Sequence, residues 1–362
     1  METSATPKTK PQKILLIKLG AVGDLVFASA FFDSVRKHFN HAQVVLLTGK
    51  TSVRTVENNP SLDRLLLADD AALYKGSLFF RCRETLRIIK LLRSESFDLA
   101  FVLHRSWIFN LLAFLCGIPQ RVGFRRGREG ILLTHKVDLQ PNRNERESYL
   151  DILRELGTAA KYERSFYYLS RAEDEFLSSF LHNHKIREEE NLIGIAPGGG
   201  KNVKTHMANK RWPEKNYIGL IEKIREAIPC RIILFGGRDD GEIASRIRKE
   251  HPACLDATDL SFGEMASVFR RCQLLISNDS GPLHIASAMD IPTLSFYGPT
   301  NPAELAPLGP EDTTIYKKVE CSPCYNQGRF PECDHLKCLT SITVDEAWTQ
   351  VSMKLRPISK KA

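Results

Sequence analysis

The chain has 362 residues, enough for about two domains, and its 43% hydrophobic and 26% charged residues are those of a soluble globular protein. Fifty-one basic against 43 acidic side chains leave a formal charge of +8, with a pI near 9.0, so an anionic partner is expected: a nucleotide, an anionic lipid surface or nucleic acid. No nucleic-acid motif accompanies the charge, so no nucleic-acid partner is expected.

Residues 1–12 are polar and lack an apolar core, which makes them a disordered tail and not a signal peptide. Residues 13–18 then read as a buried strand, and Leu19-Gly20-Ala21-Val22-Gly23-Asp24 turns into an amphipathic helix running to about His38. Further strands are expected at 44–47, 64–67 and 99–103, with a helix over 78–93 and another ending before Gly157. The longest apolar stretch, 107–118, contains Asn110 and is too short to span a bilayer. The protein is therefore expected to be cytosolic or only peripherally bound to a membrane. This β-α-β alternation implies a parallel, doubly wound α/β domain over 13–170. Residues 171–190 are charge-rich with weak apolar patterning and read as a linker. The alternation restarts over 191–340, with strands at 192–196, 231–235, 274–276 and 293–296 and helices at 217–228, 242–249, 263–272 and 282–289. A C-terminal helix and tail fill 341–362. Ligands of open α/β sheets bind beyond the carboxyl ends of the strands, which puts a central cleft between two Rossmann-like halves, with Asp24 on one wall and Asp279 on the other.

The richest stretch is Ser277-Asn278-Asp279-Ser280-Gly281-Pro282-Leu283-His284. A strand that turns through Asp, Ser and Gly into a helix leaves backbone N–H groups without internal partners, at the positive end of the helix dipole. That is a phosphate site, with Gly281 allowing close approach and Ser280 able to cap or donate. Asp279 repels phosphate unless a proton, metal or lysine intervenes, so it is expected to cap the helix or orient a neighbour. His284 either donates to the ligand or packs. Pro197-Gly198-Gly199-Gly200, with Lys201 and Lys204 and then Lys210-Arg211-Trp212-Pro213, suits a diphosphate. A helix terminus gives about 0.3–1 kcal/mol and a hydrogen bond to a charged group about 1.5–3, so a lysine is needed beside the helix end. Trp212 is expected in the core. Asp240, after Phe235-Gly236-Gly237, either accepts ribose hydroxyls or begins a helix. Asp24 is either a general base or a helix cap. Gly20-x-x-Gly23 lacks the dinucleotide spacing G-x-G-x-x-G, which disfavours an NAD-dependent oxidoreductase.

Together these motifs resemble glycosyltransferase family 9, the ADP-heptose:lipopolysaccharide heptosyltransferases. The resemblance rests on residues 14–18 with Gly23-Asp24, on Arg121-Val122-Gly123-Phe124, Pro197-Gly198, Lys210-Arg211-Trp212-Pro213, Phe235-Gly236-Gly237, the stretch from Asn278 to His284, and Tyr297-Gly298-Pro299-Thr300. It spans about 13–350 in the family's order. It implies a GT-B fold, a donor nucleotide held by the C-terminal domain, and inverting transfer with no required cofactor or metal. By residue match Asp24 is the base. Gly198, Gly199, Lys210, Asp240, Asp279, Ser280, Gly281 and His284 form the donor site, with ADP-heptose as the expected donor. Gly23, Arg121, Arg125 and Arg126, with Arg128 in the same cationic segment, are expected to meet a lipid A/core-oligosaccharide acceptor at the inner face of the inner membrane. The family has Glu where Asp240 stands and a shorter connection than residues 199–209, and both departures fall on the donor pocket. A monomer is expected. The alternatives are a family member using another nucleotide sugar for a different surface glycan, and a non-catalytic sugar-nucleotide-binding protein.

Nine cysteines are scattered apart from Cys321-x-x-Cys324, Cys333 and Cys338. These are read as structural thiols, with a structural zinc site or a disulfide as the alternatives.

Overall fold

A computed structural model describes residues 10–125, 127–199, 207–325 and 330–355. The chain divides into two units. Unit 1 comprises the chain up to Gly20, Ala28–Val53 and Asn59–Glu163, and unit 2 comprises Ala21–Phe27, Arg54–Asn58 and the chain from Arg164 on.

Unit 1 contains β1 (Lys13–Ile17), most of α1 (Val22–His38), β2 (Gln43–Gly49), β3 (Arg64–Ala68), α2 (Asp70–Lys75), α3 (Leu78–Ser94), β4 (Leu99–Val102), α4 (Trp107–Leu115), β5 (Gln120–Arg125), β6 (His135–Asp138) and α5 (Glu145–Arg154). Its six strands are parallel in the order β3-β2-β1-β4-β5-β6. The crossover from β1 to β2 runs in the opposite direction to those from β3 to β4 and from β4 to β5. Right-handed connections therefore place α1 on one face and α3 and α4 on the other. The side chains agree: Leu15, Ile17, Ala100 and Val102 pack against Ile88, Leu92, Phe109 and Leu112, while Phe31 of α1 meets Phe101 edge-on at 5.3 Å. A strand covered on both faces has no polar side, which is why 13–17 reads as an unbroken apolar run.

Unit 2 repeats the plan. It holds α6 (Arg171–Asn183), β7 (Leu192–Ala196), α7 (Glu214–Ala227), β8 (Arg231–Phe235), α8 (Gly241–Glu250), β9 (Leu255–Ala257), α9 (Phe262–Phe269), β10 (Cys272–Asn278), α10 (Gly281–Ala288), β11 (Thr293–Tyr297), α11 (Pro302–Leu305), β12 (Asp312–Tyr316), α12 (Lys337–Thr340) and α13 (Val344–Lys354). The strand order β12-β11-β10-β7-β8-β9, all parallel, has the same connectivity as the first sheet. In each sheet the order reverses between the first and fourth strands, β1/β4 and β7/β10, and the carboxyl side of that reversal is where such sheets bind ligands.

Three sequence expectations change. Residues 171–190 are no linker: Ser170 and Glu173 form a capping box, and α6 packs on α9 with Phe180 buried. The domain change falls at Glu163/Arg164. Residues 341–355 are part of unit 2, where Ala347 and Val351 of α13 join the core beside α7. Most of the expected N-terminal tail, residues 1–9, lies outside the described residues, as do residues 356–362.

Candidate functional site

At the reversal point of unit 2, the loops after β7 and β10 are joined by Asn278. Its Oδ1 accepts from the Trp212 backbone N–H at 2.8 Å and the Tyr217 hydroxyl at 2.9 Å. Its Nδ2 donates to the carbonyls of Pro197 at 2.9 Å and Gly198 at 3.0 Å. All four capacities of one buried amide thus fix three segments distant in sequence. Trp212 is buried as expected, stacked 4.2 Å from Phe296, with its indole N–H on the Ile342 carbonyl.

Asp279, the next residue, is buried. It caps nothing. Its Oδ2 accepts from Lys210 Nζ at 2.5 Å and from the Thr300 hydroxyl at 2.8 Å, and its Oδ1 lies 3.4 Å from His284 Nε2. Burial alone would raise this carboxyl, but the Lys210 charge and the His284 contact outweigh it and hold it well below the usual carboxylate range. The lysine that the sequence demanded beside Asp279 is therefore present. An ammonium group has three donors, and Asp279 fixes one, aiming the group while its charge remains available to an anion. Ser280 occupies the N-cap position of α10 without a side-chain cap bond; its hydroxyl lies 3.1 Å from that of Ser277.

The turn after β7 is shaped by two glycines. Gly199 has φ of +93°, and a Cβ there would come within 2.7 Å of the Ser280 Cβ. A Cβ on Gly198 would overlap the Asp240 carboxyl. Asp240 accepts from the Gly199 N–H at 3.0 Å, the Gly237 N–H at 3.0 Å and the Arg211 guanidinium at 3.1 Å. With three of its four lone-pair directions used, Asp240 is a clasp between the loops after β7 and β8, at the N-cap position of α8. Lys201 and Lys204 lie outside the described residues.

The first turn of α1 belongs with this cradle. Residues 21–27, the segment between β1 and the body of α1 that bears Asp24, group with unit 2. A Cβ on Gly23 would meet His284 Cδ2 at 2.8 Å, the His284 ring stands edge-on 4.5 Å from Phe27, and Val22 covers Gly281. Asp24 is at the third helical position, where its Oδ2 accepts from the Ala21 N–H at 3.3 Å, so it is not the N-cap. A half-buried carboxylate thus lies one residue from the glycine against which His284 packs, and His284 in turn touches the Asp279–Lys210 pair.

The comparisons with known proteins fit this geometry. The model of glycosyltransferase family 9 (heptosyltransferase) matches residues 85–333. The chain belongs to glycosyltransferase family 9. It is 29% identical over 327 residues to lipooligosaccharide heptosyltransferase 2 of Haemophilus ducreyi, covering 84% of this chain and 88% of that protein. The fold matches the Escherichia coli ADP-heptose lipopolysaccharide heptosyltransferase II structure at TM-score 0.72 and 20% identity, over 94% and 98% of the two chains. It also matches an E. coli heptosyltransferase solved with ADP at TM-score 0.71 and 15% identity, over 95% of this chain and all of that one (100%). The chain is accordingly a glycosyltransferase with the two Rossmann-like domains of the GT-B fold.

The arginines assigned to the family's acceptor fare differently. Arg121 sits at the amino end of β5, the end away from ligand-binding loops, and its guanidinium donates to the Leu132 carbonyl at 2.7 Å and to the carbonyls of Ile118 and Pro119. It fastens the chain around β5, and the acceptor role read for it is withdrawn. Arg125 is at the carboxyl end of β5 and pairs with both oxygens of Asp138 at 2.8 and 2.6 Å. Arg126 and the Arg128 side chain lie outside what is described.

Cys321, Cys324, Cys333 and Cys338 are free thiols. Burial, with neighbouring thiols adding to it, pushes Cys338 up to about 11. Among the described residues no three His, Cys, Asp or Glu side chains are grouped as metal ligands.

Three contributors went unassigned at the sequence level: Asn278, Arg211 and Thr300. Each was inside a quoted motif, and each acts by holding another residue, a role that local spacing does not reveal.

Proposed function

We propose that this chain is an inverting heptosyltransferase that moves heptose from ADP-heptose onto a sugar of the lipopolysaccharide inner core at the cytoplasmic face of the inner membrane. The observation carrying the reading is the buried Lys210–Asp279 pair at the β7/β10 reversal, beside α10 and one contact from the turn that bears Asp24. Heptosyltransferase names among the relatives, and ADP in one related structure, support the choice of donor.

The chemistry follows from the charges. The donor's diphosphate lies over the glycine turn at Gly198-Gly199 and the amino end of α10, where backbone N–H groups and Lys210 meet its oxygens. The acceptor hydroxyl attacks the anomeric carbon from the face opposite the diphosphate, and its proton passes to Asp24. The bond from anomeric carbon to phosphate oxygen breaks with its electron pair on ADP. Lys210, aimed by Asp279, and the dipole of α10 stabilise the charge that develops there. His284 keeps the Asp24 turn in register with the cradle.

The test is a nucleotide panel in thermal shift, followed by turnover. ADP should raise the melting temperature more than UDP, GDP or CMP, and ADP-heptose should release ADP only when core acceptor is present. Stabilisation by UDP or CMP alone would reassign the donor, and no turnover of ADP-heptose with acceptor would remove the activity.

A further inference from the structure

The helices on one face of the unit 1 sheet turn an unusual surface outward. In α3, Glu84, Ile88 and Leu92 are buried against the sheet. At 100° per residue the opposite side of the helix carries Phe79, Cys82, Arg83, Leu86, Lys90 and Arg93. Phe79 is 69% exposed and Leu86 66%, with Leu78 at 75% beside them. The helix's one carboxylate, Glu84, is on the buried stripe and held by Arg87, so its outward side is purely cationic and apolar. The neighbouring α4 has no charged residue; it buries Phe109, Asn110, Leu112 and Ala113 and exposes Trp107, Ile108, Phe114 and Leu115. The two helices cover one core and are tied at their ends, where Arg93 Nε donates to the Leu115 carbonyl at 3.0 Å.

An exposed apolar surface of this extent marks an interaction site. Its occupant follows from charge. A second copy on a two-fold axis would set Arg83, Lys90 and Arg93 against their own equivalents, so self-association is opposed. An anionic bilayer satisfies both components, with aromatic and aliphatic side chains entering the headgroup boundary and the cations meeting lipid phosphates. We propose that unit 1 docks on anionic lipid through the outward faces of α3 and α4. This deepens the reading of a lipid-borne acceptor and rests on it for the acceptor alone, since the surface itself is independent of the donor site.

The full chain is mixed with phosphatidylcholine vesicles with and without phosphatidylglycerol, and binding is followed by co-sedimentation and tryptophan emission. Three outward cations predict partitioning onto the anionic vesicles on the order of a hundredfold stronger, about fivefold for each. Trp107 emission should shift to the blue and be quenched by brominated lipid, while the fully buried Trp212 and the partly buried Trp348, both in unit 2, stay silent. The pair Arg83→Gln and Lys90→Gln should weaken anionic binding about thirtyfold, and Phe79→Ser with Leu86→Ser should abolish the brominated-lipid quenching. An unchanged thermal shift with ADP certifies that each variant is folded and keeps its donor site. Equal partitioning on both vesicle types, or undiminished binding by the variants, overturns the proposal. So does a dimer that the Phe79 and Leu86 changes dissociate without any lipid binding. Loss of heptose transfer with lipid binding intact would instead count against the activity alone.

Discussion

Lys210–Asp279 and Arg125–Asp138 are both cation–carboxylate pairs near the carboxyl ends of parallel strands, at 2.5 and 2.6 Å. Their surroundings separate them. Asp279 is buried with Thr300 and His284 as further partners, so its charge has no water to fall back on. Arg125 and Asp138 stand in solvent, where each is hydrated with or without the other and the attraction is screened. Geometry alone would rank the pairs equal; desolvation makes one of them a structural and electrostatic fixture. The same contrast covers the two regions read as anion sites. The cradle of unit 2 aims a half-hidden ammonium, whereas β5 of unit 1 commits Arg121 and Arg125 to partners of their own.

Changes on either side of this contrast should differ steeply. Asp24→Asn removes the proposed proton acceptor and should lower kcat by about 10²–10⁴ while ADP still binds, measured by ADP release and calorimetry. Asp279→Ala strands the Lys210 charge in the interior and should cost about 3–5 kcal/mol in denaturant unfolding. Because the folded Asp279 carboxyl lies below its unfolded value, its contribution is complete above the ordinary carboxylate range, near pH 4, and fades as pH falls below it. Acid unfolding of Asp279→Asn should therefore lack that component of the wild-type pH dependence. Gly198→Ala forces a methyl into the Asp240 carboxyl and should destabilise by about 1–3 kcal/mol. Arg125→Gln opens a solvent-exposed pair, and melting temperature and ADP affinity should both stay at wild-type values.

The alternation of strands and helices was legible because strands such as 13–17 and 192–196 are buried on both faces and leave unbroken apolar runs. The helix at 171–183 was hidden: Phe176, Leu177, Phe180 and Leu181 do follow helical spacing, but Arg171, Glu173, Asp174 and Glu175 dilute it. The short strands β6 and β9 are too brief to carry a period of their own. In the site, Lys210, Asp279 and His284 announced themselves through charge and motif. Asn278 and Thr300 did not, because their work is to hold segments that the fold brings together from more than twenty residues away. Asp240 was legible in position, but its hold on Gly199, Gly237 and Arg211 was not, since those partners come from three separate segments.

If the lysine held by Asp279 is the donor's diphosphate ligand, its removal should show in isothermal titration of ADP into Lys210→Met, with thermal unfolding recorded on the same preparation. Loss of a charge-assisted hydrogen bond of about 1.5–3 kcal/mol predicts binding weakened about ten- to hundredfold in a protein that still unfolds cooperatively. A folded Lys210→Met protein that binds ADP as tightly as wild type would remove Lys210 from the diphosphate site.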